Sequence, residues 1–291
     1  MSTFKVLFSA TATFPEVTLK IEADSWFQAF ETSMANLGKQ SLMKSIFCDV
    51  RPDGAVFISF ANDEGSVTIT DESAVETVTK TVEPAPAPEP IPAPEPIPTP
   101  EPIPTPEPVV EEQQEEEEEE HFSVADLFEE IMDIYDYDEK QALEFAMDIA
   151  MKYIPSESGS IAIAHLDDGT MRFDVTRGPK AEEVKGMVIH VGQGLMGFSA
   201  KNSSCIAVND VSYDPRFFKK VGEAVQYKTE TLLCAPIVHP GTEVVFGVLE
   251  LINKEGGKFT ENDLNHLKFI ADKTGDFLGM SWDAKNNSFD D

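Results

Sequence analysis

The chain has 291 residues, of which 53 are acidic and 22 basic, so its formal net charge at pH 7 is −31. A field this negative repels phosphate backbones and anionic lipid headgroups, which argues against nucleic-acid and membrane partners. Three scattered cysteines without disulfide or metal spacing, and the lack of a signal-peptide or membrane-spanning pattern, predict a cytoplasmic protein.

Residues 1–72 are predicted to form a small α+β domain with the order ββαβββ. Alternating apolar residues indicate strands at 4–8 and 17–21. A helical pattern follows, with Asp24 or Ser25 as its cap and Gly38 as its stop. Three more strands are predicted at 46–50, 55–60 and 66–69, the first two joined by a turn at 52–54. This domain carries no catalytic grouping, and we expect it to contact a protein partner.

The composition changes at Glu83, within a segment from 73 to 120 that we interpret as a disordered Pro/Glu-rich linker. Three six-residue repeats of the pattern P-I-P-[AT]-P-E occupy positions 90–107, and 13 acidic residues lie between 83 and 120. Proline at alternate positions forbids helices and sheet ladders, so an extended, stiff spacer is predicted. The PxxP spacings would also suit a groove-type partner, but the spacer interpretation is favoured.

Residues 121–291 are predicted to form a second α+β domain. Ser123 with Asp126, and Asp138 with Gln141, are capping-box patterns that open two helices, and a closing helix runs from 260 to about 282. About six strands are predicted between the helices, at 159–166, 171–176, 187–191, 206–208, 232–238 and 244–252. This order implies an antiparallel sheet flanked by the N- and C-terminal helices. Apolar residues in the last helix step by three and four, which predicts a homodimer through the terminal helices.

Motifs in this second domain resemble those of a GAF domain over residues 123–283. They are V-G-x-G-L-x-G at 191–197, N-D-V-x-x-D-P-R-F at 209–217, L-L-C-x-P-I at 232–237 and F-G-V-L-E-L-I-N-K at 246–254. Within that family the chain is most similar to modules of cyclic-nucleotide phosphodiesterases and adenylyl cyclases. Four residues, Asn253, Lys254, Phe259 and Asp263, match their N-K-F-D-E motif, and Leu264 stands in place of the final Glu.

The residues themselves give this motif a structural interpretation. Thr260 is placed as a helix N-cap and Asp263 three positions later, where a carboxylate completes a capping box and meets the positive end of the helix dipole. Lys254 can pair with Asp263 across the turn. The motif is therefore expected to clamp the last strand to the last helix.

The resemblance also implies a ligand pocket, whose expected residues are only partly present. Nucleotide-binding members carry an aromatic-aspartate pair where this chain has Thr176 and Arg177. Phe218 and Thr229 match two residues of the family's pocket helix, whereas Gly222 and Val225 replace two others. Gly194 lies in a turn predicted to lead from a strand into a helix over the pocket. The candidate pocket residues are thus Thr176, Arg177, Gly194, Asp210, Phe218 and Thr229.

No catalytic residues, cofactor or metal site are expected. The five histidines lack metal-ligand spacing, and the chain carries neither a nucleophile elbow nor a P-loop. The favoured function is a non-enzymatic cytoplasmic signalling or regulatory protein with a GAF-type module for small-molecule sensing or protein interaction. A cyclic-nucleotide (cAMP or cGMP) receptor and a scaffold without a ligand are the alternatives.

Overall fold

The computed structural model describes residues 1–9, 16–51, 54–60, 65–72 and 124–287. The predicted linker at 73–120, the first two residues of the turn at 52–54 and the predicted cap Ser123 lie outside these residues, so those predictions are not tested. Among the described helices, none combines the length and apolarity needed to cross a bilayer.

The described part of residues 1–72 contains one α-helix and five strands. In chain order they are β1 (Ser2–Phe8), β2 (Val17–Ala23), α1 (Trp26–Asn36), β3 (Ser45–Val50), β4 (Val56–Phe60) and β5 (Ser66–Asp71). The order is the predicted ββαβββ. Ser25 is the residue that caps α1, because its Oγ accepts a hydrogen bond of 3.2 Å from the backbone N–H of Gln28. Gly38 follows the helix with a φ of +63°, which a glycine adopts without strain.

Residues 124–287 contain six α-helices and six strands. The helices are α2 (Val124–Ile131), α3 (Glu139–Tyr153), α4 (Ala181–Val184), α5 (Gly194–Asn202), α6 (Lys220–Val225) and α7 (Glu261–Asn287). The strands are β6 (Ser156–His165), β7 (Thr170–Arg177), β8 (Val188–His190), β9 (Cys205–Val208), β10 (Leu232–Val238) and β11 (Val245–Lys254). Asp138 caps α3 in the predicted capping box, with Gln141 as its reciprocal partner.

All eleven strands form one continuous sheet in the order β2-β1-β5-β4-β3-β9-β10-β11-β6-β7-β8. Its strand pairs are antiparallel except where β3 meets β9, which run parallel with Ser45 opposite Cys205 and Cys48 opposite Val208. Residues 1–72 and 124–287 thus share a sheet and lie in one compact unit. The sequence pattern predicted the strands of both regions but not the pairing of β3 with β9 that joins the two regions.

Two cores lie on opposite faces of the sheet in residues 124–287. Along β10, Leu232 and Cys234 point to one face and Leu233 and Ala235 to the other. Helices α2, α3 and α7 cover the second face, where Phe259 is fully buried. The first face continues without interruption into the core of residues 1–72 and also carries a cavity beneath α4, α5 and α6.

Candidate ligand-binding site

The cavity lies between the first face of the sheet and helices α4, α5 and α6, and has a volume of about 100 Å³. Strands β6, β7, β10 and β11 supply its floor. Its walls are mainly apolar; they include Phe173, Val184, Leu195, Met196, Phe217, Val221 and Leu232. An apolar chamber with a few polar groups is the usual form of a small-molecule site.

Glu250 is the charged group on the floor of this cavity. It follows Val248 and precedes Ile252 on β11, so strand alternation turns its side chain toward the cavity face. Glu250 is only 7% exposed, and burial raises the pKa of its carboxyl to about 7. Its oxygens accept long hydrogen bonds, of 3.3 Å from Ser160 Oγ and 3.7 Å from Cys234 Sγ. Neither partner is a cation, so the ionised form receives little compensation for its burial.

Tyr227 closes the cavity beside the sheet. Its hydroxyl accepts a hydrogen bond of 2.9 Å from Ser158 Oγ, which also lines the cavity. Asn253 Nδ2 lies 3.3 Å from the same hydroxyl and 2.8 Å from Glu157 Oε2. This network positions the segment after α6 over the end of β6.

Five of the six predicted pocket residues line the cavity: Thr176, Arg177, Gly194, Phe218 and Thr229. Two of them already use their polar groups within the protein. Thr176 Oγ1 donates to the carbonyl of Ala181 at 2.9 Å, and Arg177 Nε donates to Asp148 Oδ1 at 2.8 Å. The guanidinium of Arg177 is therefore engaged on α3 rather than directed at a ligand.

Gly194 and Phe218 hold two walls of the cavity in close contact. A Cβ atom placed on Gly194 would lie 2.9 Å from Phe218 Cβ, and the glycine has a φ of +72°. Both facts exclude a larger residue without movement of one wall. The predicted turn at 192–197 does lead into a helix, α5, which begins at Gly194.

The structure does not bring the sixth predicted residue, Asp210, to the cavity. Its carboxylate accepts a hydrogen bond of 3.0 Å from the backbone N–H of Ser212 and caps a short 3-10 helix at Val211–Tyr213. Its assignment to the pocket is corrected accordingly: Asp210 is not among the lining residues, and its carboxylate is used in a local cap.

The family-motif residues form a tight junction at the end of β11. Lys254 Nζ lies 3.3 Å from Asp263 Oδ1, and Asp263 exchanges hydrogen bonds with the backbone N–H and hydroxyl of Thr260. The backbone of Phe259 is held from both sides by the side chain of Asn209, at 2.9 and 3.0 Å. Leu264 packs in the core, only 1% exposed.

Asn253 has the most demanding position in that junction. Its φ is +57°, in the left-handed region that asparagine tolerates better than most residues. From there its Oδ1 accepts a hydrogen bond of 2.8 Å from the backbone N–H of Glu230 and its Nδ2 donates to the carbonyl of Lys228 at 2.9 Å. Asn253 therefore fixes the loop that carries Tyr227 and Thr229 into the cavity wall.

The sequence-based reasoning missed Glu250, Ser160 and Tyr227 as cavity residues. Glu250 did leave a signal, since it is a single charged residue within the apolar run V-V-F-G-V-L-E-L-I. An unpaired carboxylate in a buried strand is rare and marks a candidate site. Ser160 and Tyr227 left no such signal, because both become cavity residues only through the pairing of distant elements.

An antiparallel sheet with terminal helices on one face and a cavity under short helices on the other defines the class of this domain. A family model for the GAF domain matches residues 136–278. Residues 136–278 of this chain are a GAF domain, as the motifs predicted.

Two curated relatives share sequence with this region. A probable 3′,5′-cyclic phosphodiesterase (pde-5) of Caenorhabditis elegans is 26% identical over 134 residues, covering 43% of this chain and 18% of that protein. The dual 3′,5′-cyclic-AMP and -GMP phosphodiesterase 11A of Takifugu rubripes is 36% identical over 74 residues, covering 25% of this chain and 8% of the relative. The chain thus spans less than a fifth of the length of either relative.

Solved structures similar to this chain have low sequence identity to it. The GAF domain of an Acinetobacter phosphoenolpyruvate-protein phosphotransferase is 16% identical, with a TM-score of 0.47, covering 55% of this chain and 94% of that one. Free methionine-R-sulfoxide reductase of Neisseria meningitidis, solved with its substrate, is 17% identical, with a TM-score of 0.46, covering 56% and 97%. These likenesses concern the fold alone.

Proposed function

We propose that this chain is a non-catalytic regulatory protein that binds a small organic molecule in the cavity of its GAF domain. The observation that supports this most directly is Glu250, a carboxylic group buried in a mainly apolar chamber, whose hydrogen-bond partners are a hydroxyl and a thiol rather than a cation. A purely structural floor residue at this position would be apolar, because burying an unpaired carboxyl costs stability. A ligand that donates a hydrogen bond to Glu250 would recover that cost on binding.

The chemistry of the walls restricts the ligand. It should present an apolar or aromatic body to Phe173, Leu195 and Phe217, and an N–H, amine or hydroxyl donor to Glu250. At about 100 Å³ the cavity accommodates a small ring, whereas drug-sized ligands occupy about 300 Å³ or more. A larger ligand would therefore have to displace the helical wall.

A cyclic-nucleotide receptor is the second candidate. Phe218 and Thr229, the two residues that match the nucleotide-binding pattern, both line the cavity. The relatives named above act on cyclic nucleotides, according to their names. Two observations weigh against it: Arg177 is paired with Asp148, and Gly222 and Val225 leave α6 without polar groups toward the cavity.

A non-catalytic role is supported by the state of the thiols. All three cysteines are buried, and burial raises the pKa of Cys48 to about 11 and that of Cys205 to about 12. A thiol nucleophile reacts as the thiolate, which these groups do not form near neutral pH. Within the described ranges no group of three or more candidate metal ligands occurs. We propose a cytoplasmic location on the reducing environment that such thiols suit.

We also propose a homodimer through the terminal helices. Three apolar side chains are exposed on and directly after α2: Val124, Phe128 and Met132. The ring of Phe128 stacks on that of Phe269 of α7 at a centroid distance of 6.0 Å. A row of exposed apolar side chains of this kind is typical of a protein interface. Sedimentation of the full chain at micromolar concentration should give a dimer, and Phe128→Glu should give a monomer.

The ligand proposal is tested by titrating the full chain with cAMP and cGMP in a calorimeter and by a thermal-shift screen of nucleobases, nucleosides and amines. A compound that binds should raise the melting temperature of the protein. Glu250→Gln should weaken the affinity for that compound at least tenfold, or about 1.4 kcal/mol. Glu255→Gln, on the exposed turn after β11, is the matched control and should leave affinity unchanged. A folded chain that shows no shift with any compound would instead support a scaffold with a closed cavity.

A further inference from the structure

Residues 1–72 dock on the edge of the GAF domain through three kinds of contact. Strand β3 adds to β9 as a parallel pair, and Asn209 N–H continues the ladder to the carbonyl of Cys48 at 3.4 Å. Lys258 Nζ lies 3.0 Å from Asp49 Oδ1. Helix α1 contributes Trp26, whose Nε1 donates to the carbonyl of Tyr213 at 3.1 Å. On the GAF domain, the docking surface consists of strand β9 and the segment around Tyr213 that precedes α6.

Arg216 is the centre of that interface. Its guanidinium lies 4.2 Å from the ring centroid of Phe27 and 5.6 Å from that of Trp26, both on α1, and 4.9 Å from that of Phe198 on α5. Asp214 neutralises it at 2.6 Å. Nη1 is the one buried side-chain nitrogen or oxygen of the described residues that lacks a hydrogen-bond partner. Arg216 therefore depends on the aromatic cage, which residues 1–72 complete.

The same two elements also form the cavity wall. Phe217 and Phe218, directly after Arg216, line the cavity. Helix α5 lines the cavity with Gly194, Leu195 and Met196 in its first turn and presents Phe198 to Phe27, with ring centroids 5.1 Å apart. A displacement of this wall by one or two ångströms must move Arg216 and Phe198 as well, because consecutive residues cannot separate.

We propose that residues 1–72 are the regulated partner of the GAF cavity: occupancy of the cavity pushes α5 and the Phe217–Phe218 wall outward and loosens the docking of residues 1–72. This inference rests on the proposed ligand-binding function and adds to it the surface that responds. In the structure, the small cavity and the docked position of residues 1–72 occur together. Releasing residues 1–72 exposes the edges of β3 and β9 and the indole of Trp26 to another partner.

The coupling can be tested without a ligand by filling the cavity with a side chain. Val184 lies on α4, which packs on β7 and α6, and its side chain lines the cavity. In the full chain, Val184→Phe should accelerate amide hydrogen exchange in peptides covering β3 and β9 at least about fivefold, the lower range of measured coupling between sites. Val188→Phe, at an exposed position on β8, adds the same ring outside the cavity and should leave both peptides unchanged.

Exchange in α3 and in β10 reports the integrity of the fold. Faster exchange at β3 and β9 with unchanged α3 supports the proposal, and unchanged exchange at β3 and β9 overturns it. If Val184→Phe accelerates exchange everywhere, Val221→Phe on α6 replaces it, and the same two outcomes decide. Reciprocity gives a further check: Trp26→Ala, which weakens docking, should accelerate exchange in α4 and α6, and no change there would contradict the coupling.

These experiments separate the two proposals. If no compound binds but Val184→Phe accelerates exchange at β3 and β9, the proposal of a ligand is rejected and the proposal of coupling is kept. A compound that binds and raises the melting temperature without changing exchange at β3 and β9 would retain the sensor and remove the coupling.

Discussion

Arg216 and Glu250 are both buried ionisable groups of the GAF domain, yet their surroundings are opposite. Arg216 has a carboxylate at 2.6 Å and three aromatic rings around its guanidinium. Glu250 has a serine hydroxyl and a thiol at hydrogen-bond limits, and no cation. The positive charge of Arg216 is stabilised by its neighbours. At Glu250 no cation stabilises the charge, and burial raises the pKa of the carboxyl instead.

This contrast separates a structural charge from a functional one. A buried pair such as Arg216 and Asp214 specifies how two elements meet, and its two charges are balanced within the protein. A buried carboxyl without a counter-charge carries a cost that a ligand's donor group can reduce. The interface between residues 1–72 and the GAF domain thus holds its buried charge beside a counter-charge, whereas the cavity does not.

The largest effect is expected for Arg216→Ala. The substitution leaves Asp214, which is 5% exposed, buried without a counter-charge and should lower the free energy of unfolding by about 3–5 kcal/mol. Arg216→Lys retains the charge but not the planar stacking and should lose less. Urea unfolding of the full chain measures both. Arg172→Ala, which breaks an exposed pair with Asp174, is the control and should cause no measurable change; an equal loss there would remove the distinction drawn for Arg216.

A smaller and pH-dependent effect is expected for Glu250→Gln. Between about pH 4.5 and 7 the unfolded chain ionises this carboxyl while the folded chain keeps it protonated, so the wild type loses stability as pH rises. The contribution is fully present below pH 4.5 and is lost through pH 7, by about 3 kcal/mol in total. The stability of Glu250→Gln relative to wild type should therefore increase between pH 4.5 and 8 in urea titrations. A constant difference across this range would show that a partner compensates Glu250.

The smallest effect is expected at the junction of β11 and α7, where Asp263 is an intermediate case. It is 7% exposed, caps α7 through Thr260 and pairs with Lys254. Asp263→Ala should lower the free energy of unfolding by about 1–2 kcal/mol, the usual cost of a lost cap. Asp263→Asn keeps an acceptor for Thr260 and should recover part of that loss in thermal unfolding. If Asn behaves like Ala, the ion pair rather than the cap carries the stability.

Local patterns were sufficient for most of the elements. The alternation in β1, the capping box of α3 and the junction around Lys254 and Asp263 all depend on residues close in sequence, and the structure has them where the sequence predicted. Helix α5 begins within the predicted turn at 192–197, because packing against the sheet overrides the low helix propensity of the glycines at 194 and 197.

The cavity floor and the interface could not be predicted in the same way. Glu250 becomes a cavity residue because β11 lies between β10 and β6, and Arg216 becomes an interface residue because β3 adds to β9. Parallel pairing of strands from distant segments leaves no turn or spacing signal in the sequence. The D-P-R-F motif identified the family but not the contacts of its arginine.

The parallel pair of β3 and β9 also has a consequence for synthesis on the ribosome. Ser45 and Cys205 are register partners although they lie roughly 160 positions apart. At about 5–20 residues per second, β3 must wait roughly 10–30 s before its partner strand is made. During that interval residues 1–72 present an apolar strand edge with no neighbour, and a chaperone or a crowded polysome would encounter this edge before the finished protein covers it.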